Sequence, residues 1–186
     1  PLGFPKRAAH KLAENIGMVS SYPDKKYQAL RNSIGAYTGA NPDNIVVGNG
    51  STELISTFIK SVDAKKTIIL GPAYSEYENA VKTVGSNYEY FELEESENFI
   101  LNVNRLIAAL DKSVGLLIIC NPNNPTGTAV RTSDIEKILI HCKANGTSIM
   151  VDETYIEFSD ILEDICSIPL TDRYDNIFVI RGISKF

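Results

Sequence analysis

Five segments of the sequence place polar side chains directly after a short apolar run of strand length. The apolar runs are 45–47, 67–70, 116–120, 148–151 and 177–180. The side chains after them include an aromatic ring, a carboxamide, a carboxylate, a phenol and an amine: Tyr74, Asn124, Asp152, Tyr155 and Lys185. An amine can act as a nucleophile or a proton carrier, and a carboxylate can hold a cationic nitrogen. The combination is therefore suited to acid–base chemistry on a bound small molecule.

The first of these segments supplies a candidate anion site. Run 45–47 is followed by Gly48-Asn49-Gly50-Ser51-Thr52-Glu53, and helical periodicity begins directly afterwards. A glycine-rich turn at the start of a helix leaves backbone N–H groups free, and the helix dipole favours an anion there. Gly50, Ser51 and Thr52 are therefore candidate anion ligands. The turn lacks the longer dinucleotide fingerprint, which makes a nucleotide-binding domain a weak alternative.

Taken singly, each of these features has an ordinary structural role. Glycine-rich turns usually only reverse the chain, and segment 121–125 has the composition of a turn. Asp152 can cap a helix, and a lone lysine such as Lys185 is usually solvated. In an open α/β sheet, however, ligands bind beyond the carboxyl ends of the strands. All five segments follow strand-like runs, so they are expected at one edge of one sheet.

Helical and strand patterns alternate along the chain. Apolar residues recur with helical spacing in 9–16, 27–37, 72–84, 103–110 and 133–142. Pro72, Asn102 and a capping box starting at Ser133 are the expected helix starts. The apolar runs between the helices are continuous, which is typical of strands buried on both faces of a parallel sheet. The pattern predicts an α/β fold with three layers, α/β/α, around a mostly parallel sheet.

The composition narrows the classes of function. Of the residues, 44% are hydrophobic and 22% charged, which is typical of a globular protein, and the formal net charge is -5. This charge offers no basic face for nucleic acid or anionic lipid, and no apolar run is long enough to span a membrane. Three cysteines at 120, 142 and 166 lack metal-site spacing, so no metal and a reducing, cytoplasmic location are expected.

Both ends of the sequence suggest a piece of a longer chain. The sequence begins at Pro1 without methionine, and it stops at Phe186 directly after a strand-like run. We expect a segment 1–40 with N-terminal helices and a larger domain 41–186 that is incomplete at its C-terminus. The sequence would then be truncated before a smaller C-terminal domain.

Three motifs, in order, carry a resemblance to a known family. Together with the glycine-rich turn, the motifs Asn121-Pro122-Asn123-Asn124-Pro125-Thr126-Gly127, Val151-Asp152-Glu153-Thr154-Tyr155 and Ser184-Lys185 resemble those of pyridoxal-phosphate (PLP) enzymes of fold type I, aminotransferase class I/II. Histidinol-phosphate aminotransferases and threonine-phosphate decarboxylases are the most similar groups, through segments 1–3, 22–24 and 155–158. Thr52-Glu53 and segment 75–78 lean toward the decarboxylases. The fold implied is the PLP-binding large domain.

The resemblance also implies a role for each candidate residue. Lys185 would bond the cofactor covalently and move a proton, while Asp152 would pair with the pyridine nitrogen. The remaining cofactor contacts would be Asn124 and Tyr155 at the 3′ oxygen, Tyr74 stacked on the ring, and Gly50, Ser51, Thr52 and Ser184 at the phosphate. Tyr22 would reach the phosphate of the partner subunit in a homodimer. Thr154 stands where alanine is common in the family, and this change is expected to be harmless.

The implied activity is transfer of an amino group between an amino acid, or an amino-acid phosphate, and a 2-oxo acid. Decarboxylation of the threonine-phosphate type is the alternative, because both reactions use the same cofactor-binding half. A non-catalytic fragment with the PLP fold is a second alternative. The residues that would hold the substrate carboxylate, and thereby select between the two reactions, are expected outside this sequence.

Overall fold

The computed structural model describes residues 4–185, and an α/β fold built around one sheet is its main feature. Seven α-helices and five strands follow one another along this part of the chain. In chain order they are α1 Lys6–Glu14, α2 Gln28–Thr38, α3 Ser51–Val62, β1 Lys66–Gly71, α4 Ser75–Thr83, β2 Asn87–Glu92, α5 Val103–Ala109, β3 Leu116–Cys120, α6 Thr132–Asn145, β4 Ser148–Asp152, α7 Leu162–Ile165 and β5 Ile177–Ile180.

All the strands run parallel, in the order β2-β1-β3-β4-β5. One apolar cluster covers the face under α5 and α6 and includes Leu106 and Ile138. A second cluster covers the other face, under α3 and α4, and includes Ile55 and Val81. Because both faces are covered, the central strands need apolar residues at every position. The three-layer, parallel architecture expected from the sequence is confirmed.

The structure corrects the prediction at two places in the sheet. The apolar run 45–47 forms no strand, although the glycine-rich turn follows it as expected. The sheet instead gains β2 at its edge, where exposed and half-buried positions alternate. This strand has few continuous apolar residues because an edge strand keeps one side toward solvent.

Of the three helix starts predicted from the sequence, the structure confirms one and corrects two. Asn102 caps α5 as predicted, since its side chain accepts a hydrogen bond from Arg105 N at 3.0 Å. α4 begins at Ser75 rather than Pro72, because the chain is still extended at Tyr74. The predicted capping box at Ser133 is wrong, since α6 already begins at Thr132 and no side chain caps it.

The N-terminal segment is attached loosely to this core. Gly35 is the only buried residue between 4 and 40. α1 ends at Glu14, so the apolar face predicted for 9–16 is split between this helix and the 3-10 helix Ile16–Ser20. Within residues 4–185, no helix is long and apolar enough to cross a membrane, and no cluster of His, Cys, Asp or Glu could hold a metal ion.

Candidate active site

The carboxyl ends of β3, β4 and β5 lie side by side. In the sheet register, Asp152 is paired with Cys120 on one side and with Ile180 on the other. Backbone bonds continue one step past the strands, from Asn121 N to Asp152 O at 2.8 Å and from Glu153 N to Ile180 O at 2.9 Å. The loops that carry Asn124, Tyr155 and Lys185 therefore start from the same edge of the sheet, as the sequence predicts.

Asp152 lies at the centre of this edge and is only 3% exposed. Its Oδ1 accepts hydrogen bonds from Thr154 N at 2.9 Å and Thr154 Oγ1 at 2.6 Å, and its Oδ2 accepts one from Tyr77 Oη at 2.7 Å. All three donors are neutral, and no cationic side chain within residues 4–185 pairs with this carboxylate. A carboxylate has about four positions for donors, so Oδ2 can accept one more bond. A buried anion without a cation is costly, which makes Asp152 a suitable partner for a cationic N–H group.

Tyr77 lies on the apolar face of a helix, as the sequence predicts, but its contact with Asp152 has no signal in the sequence. The side chain is buried, and burial followed by the negative charge of Asp152 raises the pKa of Tyr77 far above its ordinary value. The phenol is therefore protonated at neutral pH and acts as a donor. The ring of Tyr74 packs edge-on against it, with centroids 5.7 Å apart. Tyr74 therefore packs against the residue that donates a hydrogen bond to Asp152.

Thr154 has a part that the sequence alone does not indicate. Its buried hydroxyl makes the shortest of the bonds to Asp152, at 2.6 Å. Alanine could supply the backbone N–H at this position but not the hydroxyl. The threonine therefore adds a neutral donor that fixes the orientation of the carboxylate.

The glycine-rich turn leads into the N-terminus of α3, close to the same group. Gly50 has φ 87°, a conformation that favours glycine, and α3 begins at Ser51 without a side-chain cap. The N–H groups of the first turn of a helix lack acceptors within the helix. A Cβ built on Gly182 would lie 3.7 Å from Ser51 Cβ and 3.9 Å from Thr154 Oγ1. Gly182, in the loop toward Lys185, thus lies next to the start of α3 and next to Thr154, which bonds Asp152.

Asn124 and Tyr155 both line a cavity of about 580 Å³. The loop after β3 is fixed by Asn123, whose Nδ2 donates to Pro72 O at 3.0 Å and to Thr126 Oγ1 at 2.9 Å. This contact ties the loop that carries Asn124 to the loop that carries Tyr74. The cavity walls include both polar and apolar residues: Pro122, Asn123, Asn124, Pro125, Gly127, Ala129, Tyr155, Phe158, Ser159 and Ile161.

Six predicted site residues are exposed to solvent: Tyr22, Gly50, Thr52, Tyr74, Ser184 and Lys185. Ser184 and Lys185 lie in a turn directly after the β5 edge. Tyr22 is 84% exposed, and Lys25 Nζ lies 5.5 Å from its ring centroid. The structure therefore brings Asp152, Tyr74 and Ser51 into one region, but it leaves Tyr22 surrounded by solvent.

A buried ion pair next to Asp152 is likewise not predicted from the sequence. Glu153 is 1% exposed, and its Oε2 accepts a hydrogen bond from Arg181 Nε at 2.8 Å. Burial raises the pKa of Glu153 above its ordinary value, while the charge of Arg181 acts in the opposite direction. The two residues are adjacent to Asp152 and to the loop of Lys185, respectively. Only the fold brings them together, so no local sequence pattern signals the pair.

Comparison with known proteins shows which family has a similar sequence. Residues 3–186 match the family model described as aminotransferase class I and II. A protein of Caldanaerobacter subterraneus subsp. tengcongensis named "Putative threonine-phosphate decarboxylase" is 38% identical over 186 residues, covering 100% of this chain and 50% of that protein. A histidinol-phosphate aminotransferase of Clostridium novyi is 35% identical over 193 residues, covering 99% of this chain and 51% of that protein.

A solved structure gives the same result for the fold. The histidinol-phosphate aminotransferase from Clostridium acetobutylicum superposes with a TM-score of 0.88 and 31% identity, covering 100% of this chain and 54% of that one. The chain spans about half the length of the curated relatives it matches. Its sheet corresponds to the large domain of fold-type-I PLP enzymes, as expected from the motifs. Because the family model matches nearly the whole chain, and because the loops that carry the motifs start from one edge of that sheet, this chain belongs to the aminotransferase class I and II family.

Proposed function

We propose that this chain is the cofactor-binding part of a PLP-dependent aminotransferase that acts on an amino acid or an amino-acid phosphate, similar to histidinol-phosphate aminotransferases. One observation carries the proposal. Asp152 is buried, accepts bonds from neutral donors alone among residues 4–185, and has room at Oδ2 for one further donor. A protonated pyridine nitrogen supplies both the missing bond and the missing positive charge. Hydrogen bonds that involve a charged group contribute about 1.5–3 kcal/mol.

The other residues of the edge fit the remaining parts of the cofactor. Tyr74 would stack on its ring, and Asn124 and Tyr155 would bond its phenolic oxygen. The backbone N–H groups at Gly50, Ser51 and Thr52, with the hydroxyl of Ser184, would hold its phosphate. When bound, the cofactor supplies an electron-withdrawing ring for the substrate Cα.

The chain's own residues would then carry out the proton chemistry. Lys185 would hold the cofactor covalently, and its freed Nζ would accept the proton from the substrate Cα and deliver it to the carbon that had carried the lysine. Tyr77 and Thr154 hold Asp152 in place throughout. Asp152 would hold the proton on the ring nitrogen of the cofactor.

Decarboxylation of an amino-acid phosphate is the second candidate, and one finding favours it. The protein with 38% identity over the whole chain carries the name of a threonine-phosphate decarboxylase. Both reactions begin with the same cofactor contacts, and they differ in which bond of the substrate Cα is broken. The residues proposed to contact the cofactor at the carboxyl edge of the sheet would have the same roles in either reaction.

We further propose that the protein works in the cytoplasm as a homodimer with segment 1–40 as a separate N-terminal part. The exposed position of Tyr22 supports a role toward a second subunit rather than its own. Apolar side chains of the same segment are exposed and suit an interface: Leu12, Ile16, Met18 and Val19. The cysteines at 120, 142 and 166 are free thiols, which suits a reducing compartment.

Reduction of the full-length protein with borohydride tests the proposal. With PLP bound, the reduced adduct is expected on Lys185, as located by peptide mass spectrometry. An adduct on Lys60 or on any other lysine would contradict the assignment. Assays with histidinol phosphate and threonine phosphate then separate the two candidates, since one transfers the amino group to a 2-oxo acid and the other releases CO2. Absence of both activities with a loaded cofactor would contradict the proposed function.

A further inference from the structure

The side chain of Arg181 joins the loop that carries Lys185 to the segment that follows Asp152. Arg181 Nε bonds Glu153 Oε2 at 2.8 Å, and Nη1 bonds Glu157 Oε1 at 3.0 Å. Nη2 lies 3.2 Å from Cys166 Sγ. Each nitrogen of the guanidinium group therefore has its own acceptor, and all three acceptors follow β4 in the chain.

Beyond Arg181, the loop has few other anchors. Gly182 has no side chain, and residues 183–185 are exposed. Among residues 4–185, β5 pairs with β4 alone, and its residues 177–179 are half-buried. Arg181 is therefore the last side chain with buried partners before Lys185, and the direction in which the loop leaves the sheet depends on it.

Glu153, the buried partner of Arg181, is held by two further hydrogen bonds. Glu153 Oε1 accepts a bond from Ser167 N at 2.5 Å, and Glu153 N donates to Ile180 O at 2.9 Å. Removal of the arginine would leave a buried carboxylate without its cation, which is strongly unfavourable. Lysine could replace the charge but not the planar fork, because one ammonium group cannot reach three acceptors in different directions.

From this geometry we propose that Arg181 is a positioning residue for Lys185. It holds the loop so that the lysine amine meets the cofactor while Asp152, one residue before Glu153, holds the ring. The inference rests on the proposed function, in which Lys185 bonds the cofactor. Arg181 itself does not contact the reacting atoms, since its three nitrogens are used by Glu153, Glu157 and Cys166.

The test measures how quickly Lys185 captures the cofactor, independently of turnover. Full-length protein without cofactor is mixed with PLP, samples are reduced with borohydride at intervals, and the Lys185 adduct is quantified by mass spectrometry. The amine and the cofactor aldehyde condense with loss of one water, and borohydride then reduces the bond. Arg181→Met is expected to slow the capture by about tenfold or more, because small misplacements of a reacting group have large effects on rate. Arg181→Lys is expected to restore part of the rate.

Arg173→Met is the matched control. Arg173 also forms an ion pair, with Glu136 at 2.6 Å, but this arginine is half exposed and its partner lies on α6 rather than beside Asp152. The same substitution there is expected to leave the capture rate unchanged. A slower capture in this control equal to that of Arg181→Met would contradict the proposal, since any lost arginine would then suffice.

A double variant separates positioning from simple stability. Glu153→Gln combined with Arg181→Met removes both charges of the buried pair, so thermal stability is expected to recover while capture by Lys185 remains slow. Recovery of both would overturn the proposal, as would capture at the wild-type rate in folded Arg181→Met. An adduct on a different lysine in the unmodified protein would instead overturn the proposed function, and with it this inference.

Discussion

Two adjacent carboxylates at the end of β4 differ in whether a cationic side chain pairs with them. Asp152 and Glu153 are both buried, but Asp152 accepts bonds only from neutral donors, whereas Glu153 is paired with Arg181. The charge of Glu153 is thus balanced within the chain, and its role is to hold two loops together. Asp152 has no cationic partner among residues 4–185, which is what the proposed cofactor contact requires. The contrast separates a structural carboxylate from a functional one on physical grounds alone.

The largest effect is expected from Asp152→Asn in the full-length protein. The amide still accepts one bond but cannot stabilise a positive ring nitrogen, so PLP should remain bound while turnover falls by about 10²–10³-fold. Cofactor absorbance and steady-state turnover measure the two properties. Near-normal turnover would remove Asp152 from its proposed role.

Arg181→Met should lower the free energy of unfolding through Glu153, by about 3 kcal/mol at neutral pH. Burial already raises the pKa of Glu153, and loss of the arginine raises it further. A carboxyl group whose pKa is raised in the folded state costs stability as pH rises through that pKa. The deficit relative to wild type should therefore shrink as pH falls and the carboxyl is protonated. Denaturant unfolding at several pH values measures it, and a deficit independent of pH would contradict this account.

Tyr77→Phe removes one of the neutral donors to Asp152 and leaves the fold of α4 unchanged. A bond to a charged group contributes about 1.5 kcal/mol at the lower end, which corresponds to roughly tenfold in turnover. Tyr88→Phe is the control, because Tyr88 bonds the surface carboxylate of Glu78 at 2.8 Å instead. Equal losses of turnover in the two variants would show that the hydrogen bond from Tyr77 to Asp152 does not contribute to activity.

The smallest effect is expected from Thr154→Ala, which keeps the backbone bond to Asp152 and removes only the hydroxyl bond. The expected loss in stability is about 0.5–1.5 kcal/mol, and Thr154→Ser should recover most of it. Thermal unfolding with and without PLP measures both variants. If alanine and serine behave alike, the hydroxyl has no role, and the substitution is as harmless as the sequence suggests.

The sequence predicts the buried parts of the sheet well and the supporting contacts poorly. β3 and β5 have the predicted bounds, because a continuous apolar run of four or five residues that ends in a turn is typical of a buried strand. β2 is not predicted, because the residues of an edge strand alternate between exposed and half-buried positions. Run 45–47 is apolar but lies outside the sheet. Apolar patterning is a local property, and it reports burial rather than strand pairing.

The contacts that distinguish the two carboxylates are not local. Tyr77 and Asp152 are separated by 75 positions in the chain, and Glu153 and Arg181 by 28. A tyrosine on the buried face of a helix looks like any other core residue until the fold places its hydroxyl on an acid. The motif residues could be found from the sequence because they follow strands, whereas Tyr77 and Arg181 required the structure.

Nitrogen-15 NMR of ring-labelled PLP in the full-length protein tests the central claim most directly. If Asp152 is the unbalanced anion of this site, the ring nitrogen should remain protonated from mildly acidic to mildly alkaline pH, and Asp152→Asn should abolish this protonation. A neutral ring nitrogen in the unmodified protein would contradict the account, because the charge of Asp152 would then have no partner.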